Sequence, residues 1–170
     1  MSEPLRALGA RVSQALNGHV LYNPPLTMMV DDSERIEVRI APADYTDNIR
    51  TGLVGRGTPQ VETIEITPVM RVRLRGGAFK VDSPIGEAQT ILSGRVAQWS
   101  FDVTPIRAGK QTLELEVSYL IIVNGIPYLS ILPTFRREID IQISTWHAVT
   151  ATMKDHRELA MSTAIGVTLG

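Results

Sequence analysis

The stretch from Gln98 to Ile143 alternates apolar and polar residues along three successive segments. A period of two places one face of a β-strand against a core and the other in water. Asn124-Gly125 separates two of these segments. Asn-Gly favours a type I′ turn, because both central residues of that turn need positive φ. The sequence therefore predicts a long β-hairpin with its turn at Asn124-Gly125.

Further strand-like runs precede this hairpin, and turn residues separate them. They cover residues 19–22, 26–30, 34–40, 61–66, 69–74 and 78–81. Seven to nine short strands with turn signals at short intervals are typical of an all-β sandwich. We predict an all-β, Ig-like antiparallel β-sandwich over residues 18–144, with a core that includes the aromatic residues of the Trp99 strand.

The two ends of the chain have a different pattern. Leu5, Leu8, Val12 and Leu16 recur at helical spacing, and Asn17-Gly18 is a typical helix end, so residues 1–17 are predicted to form a short helix. Residues 145–170 are predicted to form a helical tail. Its last eleven residues are uncharged, which is too few to span a bilayer. The tail is interpreted as a segment that leads to a membrane span or as an oligomerisation segment.

Composition excludes several classes of function. The 170 residues carry a net charge of −1, which argues against nucleic-acid binding. The chain has no cysteine, so it has no disulfide, thiolate metal site or thiol nucleophile. The three histidines are too far apart in sequence for one helix to present them as a metal pair. We predict no enzymatic activity, no cofactor and no metal.

The end of the long hairpin carries apolar residues at successive positions, so both of its faces are predicted to be apolar. Such a surface is either covered by another segment, with the two terminal helices as candidates, or contacts a partner. Under the second interpretation the partner-binding residues are Leu120, Ile122, Leu129, Ile131 and Leu132.

Charged residues are predicted to project outward from the strands. Arg35, Glu37 and Arg39 alternate with inward apolar residues on strand 34–40, and the carboxylates of Glu114 and Glu116 are likewise predicted to face out. Cross-strand ion pairs account for this pattern. An alternative is a ligand-sensing domain, in which the irregular segment 41–59 and the stripe Arg71, Arg73 and Arg75 bind an anionic ligand or an acidic partner.

The core pattern also resembles a known group of domains. The matching runs are Asn23-Pro-Pro-Leu-Thr-Met-Met-Val30, Ile36-Glu-Val-Arg-Ile40, Ile66-Thr-Pro-Val-Met-Arg-Val-Arg-Leu74 and Trp99-Ser-Phe-Asp-Val-Thr-Pro105. They resemble an Ig-like β-sandwich accessory domain of uncharacterised bacterial proteins, which often adjoins a transmembrane helix in conflict and defence effectors.

The resemblance implies a non-enzymatic interaction and assembly module of a bacterial defence or stress-signalling system. Its expected partner is an effector or regulator protein, with a homo-oligomer as the alternative. Its expected location is the cytoplasm, at the inner face of the membrane if the tail leads into a span.

Overall fold

Eleven β-strands and one short 3-10 helix make up the described part of the chain. The computed structural model describes residues 15–91, 95–123 and 125–144, apart from the side chains of residues 46, 47 and 120–123. The predicted N-terminal helix lies outside these residues except at its end. There, Leu16 and Asn17 belong to the first strand and not to a helix. The predicted helical tail, residues 145–170, lies outside them entirely.

The strands follow the alternating runs of the sequence closely. They are β1 (Leu16–Tyr22), β2 (Thr27–Met29), β3 (Glu34–Pro42), β4 (Gln60–Ile66), β5 (Val69–Arg75), β6 (Phe79–Asp82), β7 (Ala88–Thr90), β8 (Ala97–Pro105), β9 (Gly109–Val123), β10 (Ile126–Ile131) and β11 (Phe135–Gln142). The count exceeds the predicted seven to nine, because the return segment of the hairpin forms two strands, β10 and β11, and because β7 lies in a stretch without a strand signal. A 3-10 helix occupies Ala43–Asn48, within the irregular segment 41–59.

These strands form two sheets. The first sheet has five strands in the order β4-β1-β3-β8-β6, and the second has the order β2-β11-β9-β5-β7 with β10 added beside β9. The described pairs are antiparallel except β2 with β11, which run parallel. The predicted hairpin is confirmed: Val123 of β9 pairs with Ile126 of β10, and Gly125 has a φ of 80°.

The inward faces of both sheets share one apolar core, as expected for a sandwich. Trp99 and Phe101 of β8 are almost fully buried, together with Ile36 of β3 and with Leu113 and Leu115 of β9. Each of these residues lies at an inward position of its alternating strand. The predicted all-β sandwich, with the Trp99 strand in its core, is therefore confirmed at the level of two stacked sheets.

The outer face of the first sheet is covered as well. Leu21, Ala41 and Ile49 form a second, smaller apolar cluster with Tyr45, Leu53, Val61 and Val96. Residues 43–59 connect β3 to β4, which both belong to the first sheet. This segment lies over the outer face, and β3 is consequently buried without interruption from Ile36 to Ala41.

Candidate interaction surface

The end of the long hairpin extends past the strands beside it. β5 pairs with β9 from Glu114 to Tyr119, and Met70 is the partner of Tyr119. β10 pairs with Ser118–Val123. Beyond Tyr119, β9 has β10 as its only described neighbour. We call Leu120–Val123 with Ile126–Ile131 the ribbon. Four residues past Tyr119 correspond to an overhang of about 13 Å.

The register divides the ribbon into two faces. Residues directly opposite one another in an antiparallel pair share a face. Ser130 lies opposite Tyr119, whose side chain is in the core, so Ile126 and Tyr128 share the face that continues the core. Ile131 lies opposite Ser118, which is also the partner of Arg71 on the outer side of the sheet. Pro127, Leu129 and Ile131 therefore share the outer face.

Both faces expose large apolar side chains. Ile126 is 55% exposed and Tyr128 38% on the core-continuous face, while Leu129 is 45% and Ile131 57% exposed on the outer face. Isolated exposed apolar residues are common on protein surfaces, but contiguous ones mark interaction sites. On each face the two residues lie at neighbouring positions of β10, so each face of the ribbon carries a pair of adjacent exposed apolar side chains.

The structure places the predicted partner-binding residues in two groups. Leu120 pairs with Leu129, and Ile122 pairs with Pro127, which brings two predicted residues opposite one another. The side chains of Leu120 and Ile122 lie outside the described part. Leu132 belongs with the core instead: it is partly buried against the main cluster, and its amide donates to the carbonyl of Val117 at 2.9 Å.

The outer edge of β10 is unpaired within the described ranges, since β10 pairs with β9 alone. An open strand edge presents backbone N–H and C=O groups to which another strand can bind. Pro127 lies on this strand and lacks an N–H, as is usual for edge strands. The ribbon therefore combines an apolar surface with an available edge.

The arginine stripe is paired within the chain. The guanidinium groups of Arg71 and Arg73 both contact the Glu87 carboxylate, at 2.8 Å from Arg71 Nε and 2.9 Å from Arg73 Nε. Arg75 contacts Glu116. The hydrogen bond from Arg73, followed by the contacts with Arg71, lowers the pKa of Glu87 to about 2. The three arginines thus already have anionic partners on the protein itself.

The irregular segment 41–59 is also bound to its own chain, through a buried ion pair on β3. Arg39 Nη2 lies 2.8 Å from Glu37 Oε2. The Arg39 guanidinium also donates to the carbonyls of Ile49, Thr51 and Gly52. Asn23 Nδ2 donates to the Val54 carbonyl at 2.7 Å. These contacts fix the segment across the first sheet.

Three of the charged residues predicted to project outward from the strands are nevertheless buried. Glu37 is 2% exposed, Arg39 5% and Glu116 7%. Glu37 and Arg39 do project from the core, but segment 43–59 covers the outer face from which they project. The alternation in strand 34–40 gives no sign of this cover. Sequence reasoning also missed Asn23 and Glu87, because neither belongs to a recognisable motif.

Two surface clefts lie away from the arginine stripe. One is lined by Asp31, Asp32 and Ser144, and the other by Pro25, Glu34 and Arg56. Within the described ranges no three histidine or acidic side chains converge as metal ligands. In the same part of the chain no helix has the length and apolar content needed to cross a bilayer.

Comparison with known proteins adds no relative. No family model matches the chain, and no curated protein shows significant sequence similarity to it.

Proposed function

We propose that this chain is a non-enzymatic protein-interaction and assembly module that binds its partner through the outer face and open edge of the ribbon. The observation that carries the proposal is the exposure of Leu129 and Ile131 on the outer face of β10, with Leu129 on the two-stranded extension and Ile131 at its base. Covering these side chains on binding would remove apolar area from water, at roughly 25 cal/mol per Å². Leu120 and Ile122, their neighbours across the ribbon, complete the proposed surface.

We also infer that the sandwich is Ig-like. An immunoglobulin sandwich has strands ABED in one sheet and GFC in the other. The orders β1-β3-β8-β6 and β11-β9-β5 correspond to these two sets. The correspondence is incomplete at two strands. β4 is an additional strand of the first sheet, and β7, an additional strand of the second sheet, follows the D-position strand β6 along the chain. The buried Trp99 also belongs to β8, the E position, whereas antibody domains have it on C.

The proposed setting is a bacterial defence or stress-signalling assembly, in which the module would bind an effector or regulator or a second copy. This setting is supported by the sequence resemblance to accessory domains. The proposed location is the cytoplasm, with residues 145–170 as the candidate connection to the membrane.

The test replaces outer-face residues with serine in the full chain. The Leu129→Ser/Ile131→Ser variant should keep the thermal unfolding midpoint of the wild type, because neither side chain is in the core. A protein that co-purifies with the wild type from the native host should no longer co-purify with this variant, or the self-association measured by light scattering should disappear. Ile106→Ser is the matched control, because Ile106 is 57% exposed at the end of the sandwich remote from the ribbon.

Two results would count against an interaction role for this surface. One is unfolding of the Leu129→Ser/Ile131→Ser variant, which would show that these side chains belong to the core. The other is an identical set of co-purifying proteins and an identical mass for wild type, the double variant and the Ile106→Ser control.

A second candidate function is binding of an anion or an acidic partner at Arg71, Arg73 and Arg75. One observation favours it: Arg71 and Arg73 share a single carboxylate, so one positive charge of that group is not compensated. Segment 41–59 lies over the first sheet and the arginines lie on the second, so they would not hold one ligand together. A thermal-shift panel of nucleotides and anions tests this candidate, since ligand at 100 times its Kd adds about 2.7 kcal/mol.

A further inference from the structure

The open edge of β10 is the longest uncharged edge among the described strands. The other strands at the sheet edges are β4 and β6 in the first sheet and β2 and β7 in the second. β4 carries Glu62 and Glu65, β6 carries Lys80 and Asp82, and β2 and β7 have three residues each. Charged residues and short length both protect an edge from pairing with another strand. β10 has six residues and no charge, so it lacks these two protections.

The backbone of β10 alternates between bonding to β9 and facing the open edge. The Leu132 amide, just after the strand, donates to the Val117 carbonyl of β9. In an antiparallel pair every second residue directs its backbone N–H and C=O groups toward the same neighbour. The even-numbered residues of β10 therefore bond to β9. The residues that direct these groups toward the open edge are Pro127, Leu129 and Ile131.

Pro127 restricts how another strand can pair with this edge. Proline has no N–H, so the outward donors are the amides of Leu129 and Ile131, whereas all three residues have an outward carbonyl. If a second copy pairs antiparallel about a two-fold axis at Leu129, the two Leu129 residues exchange both of their hydrogen bonds. The Ile131 amide then donates to the Pro127 carbonyl of the second copy, and symmetry supplies the reciprocal bond. Every outward N–H group of β10 has an acceptor in this arrangement.

The neighbouring two-fold registers fit the strand less well. An axis at Tyr128 places Pro127 opposite Leu129, so each Leu129 carbonyl faces a residue without an N–H. An axis at Ser130 places Pro127 opposite Pro133, which lies beyond the end of β10. The axis at Leu129 is the register in which the bonded residues all lie on β10 and every outward amide is satisfied.

The absence of charge makes this edge compatible with a second copy of itself. Residues 117–134 include no aspartate, glutamate, lysine, arginine or histidine. Like charges on adjacent strands are destabilising, and here a two-fold axis brings none together. Symmetric pairing of β4 would instead bring four carboxylates onto one short ribbon, from Glu62 and Glu65 of each copy.

We propose that the chain forms a two-fold dimer in which the β10 strands of two copies pair antiparallel about Leu129. The inference rests on the proposed function, because it assigns a second copy as the partner of the ribbon. Residues opposite one another share a face, so Pro127, Leu129 and Ile131 of both copies form one apolar strip on the outer face. Each copy contributes a single short strand, so the interface is small and the dimer should depend on concentration.

Disulfide formation between copies tests the register, because the chain has no cysteine of its own. In the proposed pairing the two Leu129 Cα atoms lie about 5.5 Å apart, a distance that a disulfide can span. Leu129→Cys should therefore give a covalent dimer in most molecules under mild oxidation. Ile126→Cys is the matched control and should stay monomeric, because Ile126 is 55% exposed on the same strand but lies about 20 Å from its counterpart.

Light scattering over a concentration series tests the backbone hydrogen bonds. Leu129→Pro removes only an N–H group that faces the open edge, so the bonds between β10 and β9 remain. This variant should keep the unfolding midpoint of the wild type and stay monomeric at concentrations where the wild type has the mass of a dimer. Leu129→Val is the matched control and should dimerise like the wild type, because it keeps both the N–H group and an apolar side chain.

Three results would overturn the pairing. A monomer mass for the wild type at every concentration is the first, and equal cross-linking of Leu129→Cys and Ile126→Cys, which would indicate contact without a fixed register, is the second. The third is dimerisation of Leu129→Pro at the wild-type level, which would assign the dimer to another surface. If Leu129→Pro lowers the unfolding midpoint, the cross-linking pattern decides.

Failure of the dimer and failure of the proposed function are distinguishable. A monomeric wild type that binds a co-purifying protein through Leu129 and Ile131 would refute the self-pairing and leave the interaction role intact. A monomeric wild type whose co-purifying proteins are unchanged in Leu129→Ser/Ile131→Ser would refute both.

Discussion

Gly57 lies where segment 43–59 passes over the chain at Asn23. A Cβ added at Gly57 would lie 2.0 Å from the Asn23 carbonyl oxygen and 2.6 Å from the Pro24 carbonyl carbon. Both neighbours are backbone, so neither can move aside as the end of a side chain could. From the sequence, Gly57 is an ordinary loop glycine, and its role depends on a contact with a residue 34 positions away.

Replacement of Gly57 by alanine should lower the free energy of unfolding by about 1–3 kcal/mol, because backbone must shift to admit the methyl group. Urea unfolding measures the change. Gly86→Ala is the control, since a Cβ at Gly86 meets nothing within 4 Å. Equal stability of the two variants would show that segment 43–59 does not hold this close approach in solution.

Tyr22 contributes an aromatic ring to the core but has an unsatisfied hydroxyl. Among the described residues this buried oxygen has no hydrogen-bond partner. Burial raises the pKa of Tyr22 far above its ordinary value, and the positive charge of Arg137 offsets only part of the rise.

Tyr22→Phe should leave the free energy of unfolding unchanged or raise it by up to about 1 kcal/mol, because removing an unpaired buried hydroxyl costs no hydrogen bond. Urea unfolding is again the measurement, with Tyr128→Phe as the exposed control. A loss of stability in Tyr22→Phe alone would mean that the hydroxyl has a partner.

At the scale of the element, the burial of β3 depends on segment 43–59, which covers the outer face of the strand. Its outward Glu37 and Arg39 are buried, and Arg39 donates to three carbonyls of the covering segment. Arg35 of the same strand pairs with Asp102 of β8 and is exposed, so it has no such role. Arg35 and Arg39, four residues apart, therefore have different environments on one face of one strand.

Arg39→Met should destabilise the protein by about 3 kcal/mol, because it leaves the Glu37 carboxylate buried without its partner. Segment 43–59 should also loosen, so trypsin should cut after Arg50 and Arg56 faster than in the wild type. Arg35→Met is the matched control and should be cut at the wild-type rate. Equal cleavage of Arg39→Met and wild type would indicate that the other contacts of the segment, such as those of Ile49 and Asn23, are enough to hold it.

At the scale of the whole molecule, Glu87 links the two sheets. Its carboxylate binds Arg71 and Arg73 of the second sheet, while its backbone carbonyl accepts from Trp99 Nε1 of the first sheet at 2.8 Å. Gln89 Nε2 makes a parallel link to the Gln98 carbonyl. Residues 87–89 therefore connect the sheets along one side of the sandwich.

Because the arginines hold the pKa of Glu87 at about 2, below its ordinary value, the fold favours the ionised carboxylate. The stability that the ionised Glu87 carboxylate contributes to the fold is complete above its unfolded-state pKa and is lost as the pH falls toward 2. Glu87→Gln should thus cost about 1 kcal/mol at pH 7 and almost nothing near pH 2. Urea unfolding across this pH range measures the difference.

Glu138→Gln is the control for this prediction, because Glu138 and its partner Lys110 are both largely exposed. It should show little change at any pH. A Glu87→Gln deficit that persists unchanged at low pH would show that the ion pairs are not its cause.

The sequence determined the strands, the Asn-Gly hairpin and the identity of the main core, because strand alternation and turn chemistry are local properties. The apolar hairpin end was also predictable, since its residues are contiguous along the chain. Only the tertiary structure decided which charged residues are buried, which carboxylates pair with the arginine stripe, and where the ribbon loses its neighbouring strand. Those outcomes depend on contacts between segments that are far apart in sequence, such as segment 43–59 over β3 or Glu87 beside β5. The alternation within a strand carries no information about such contacts.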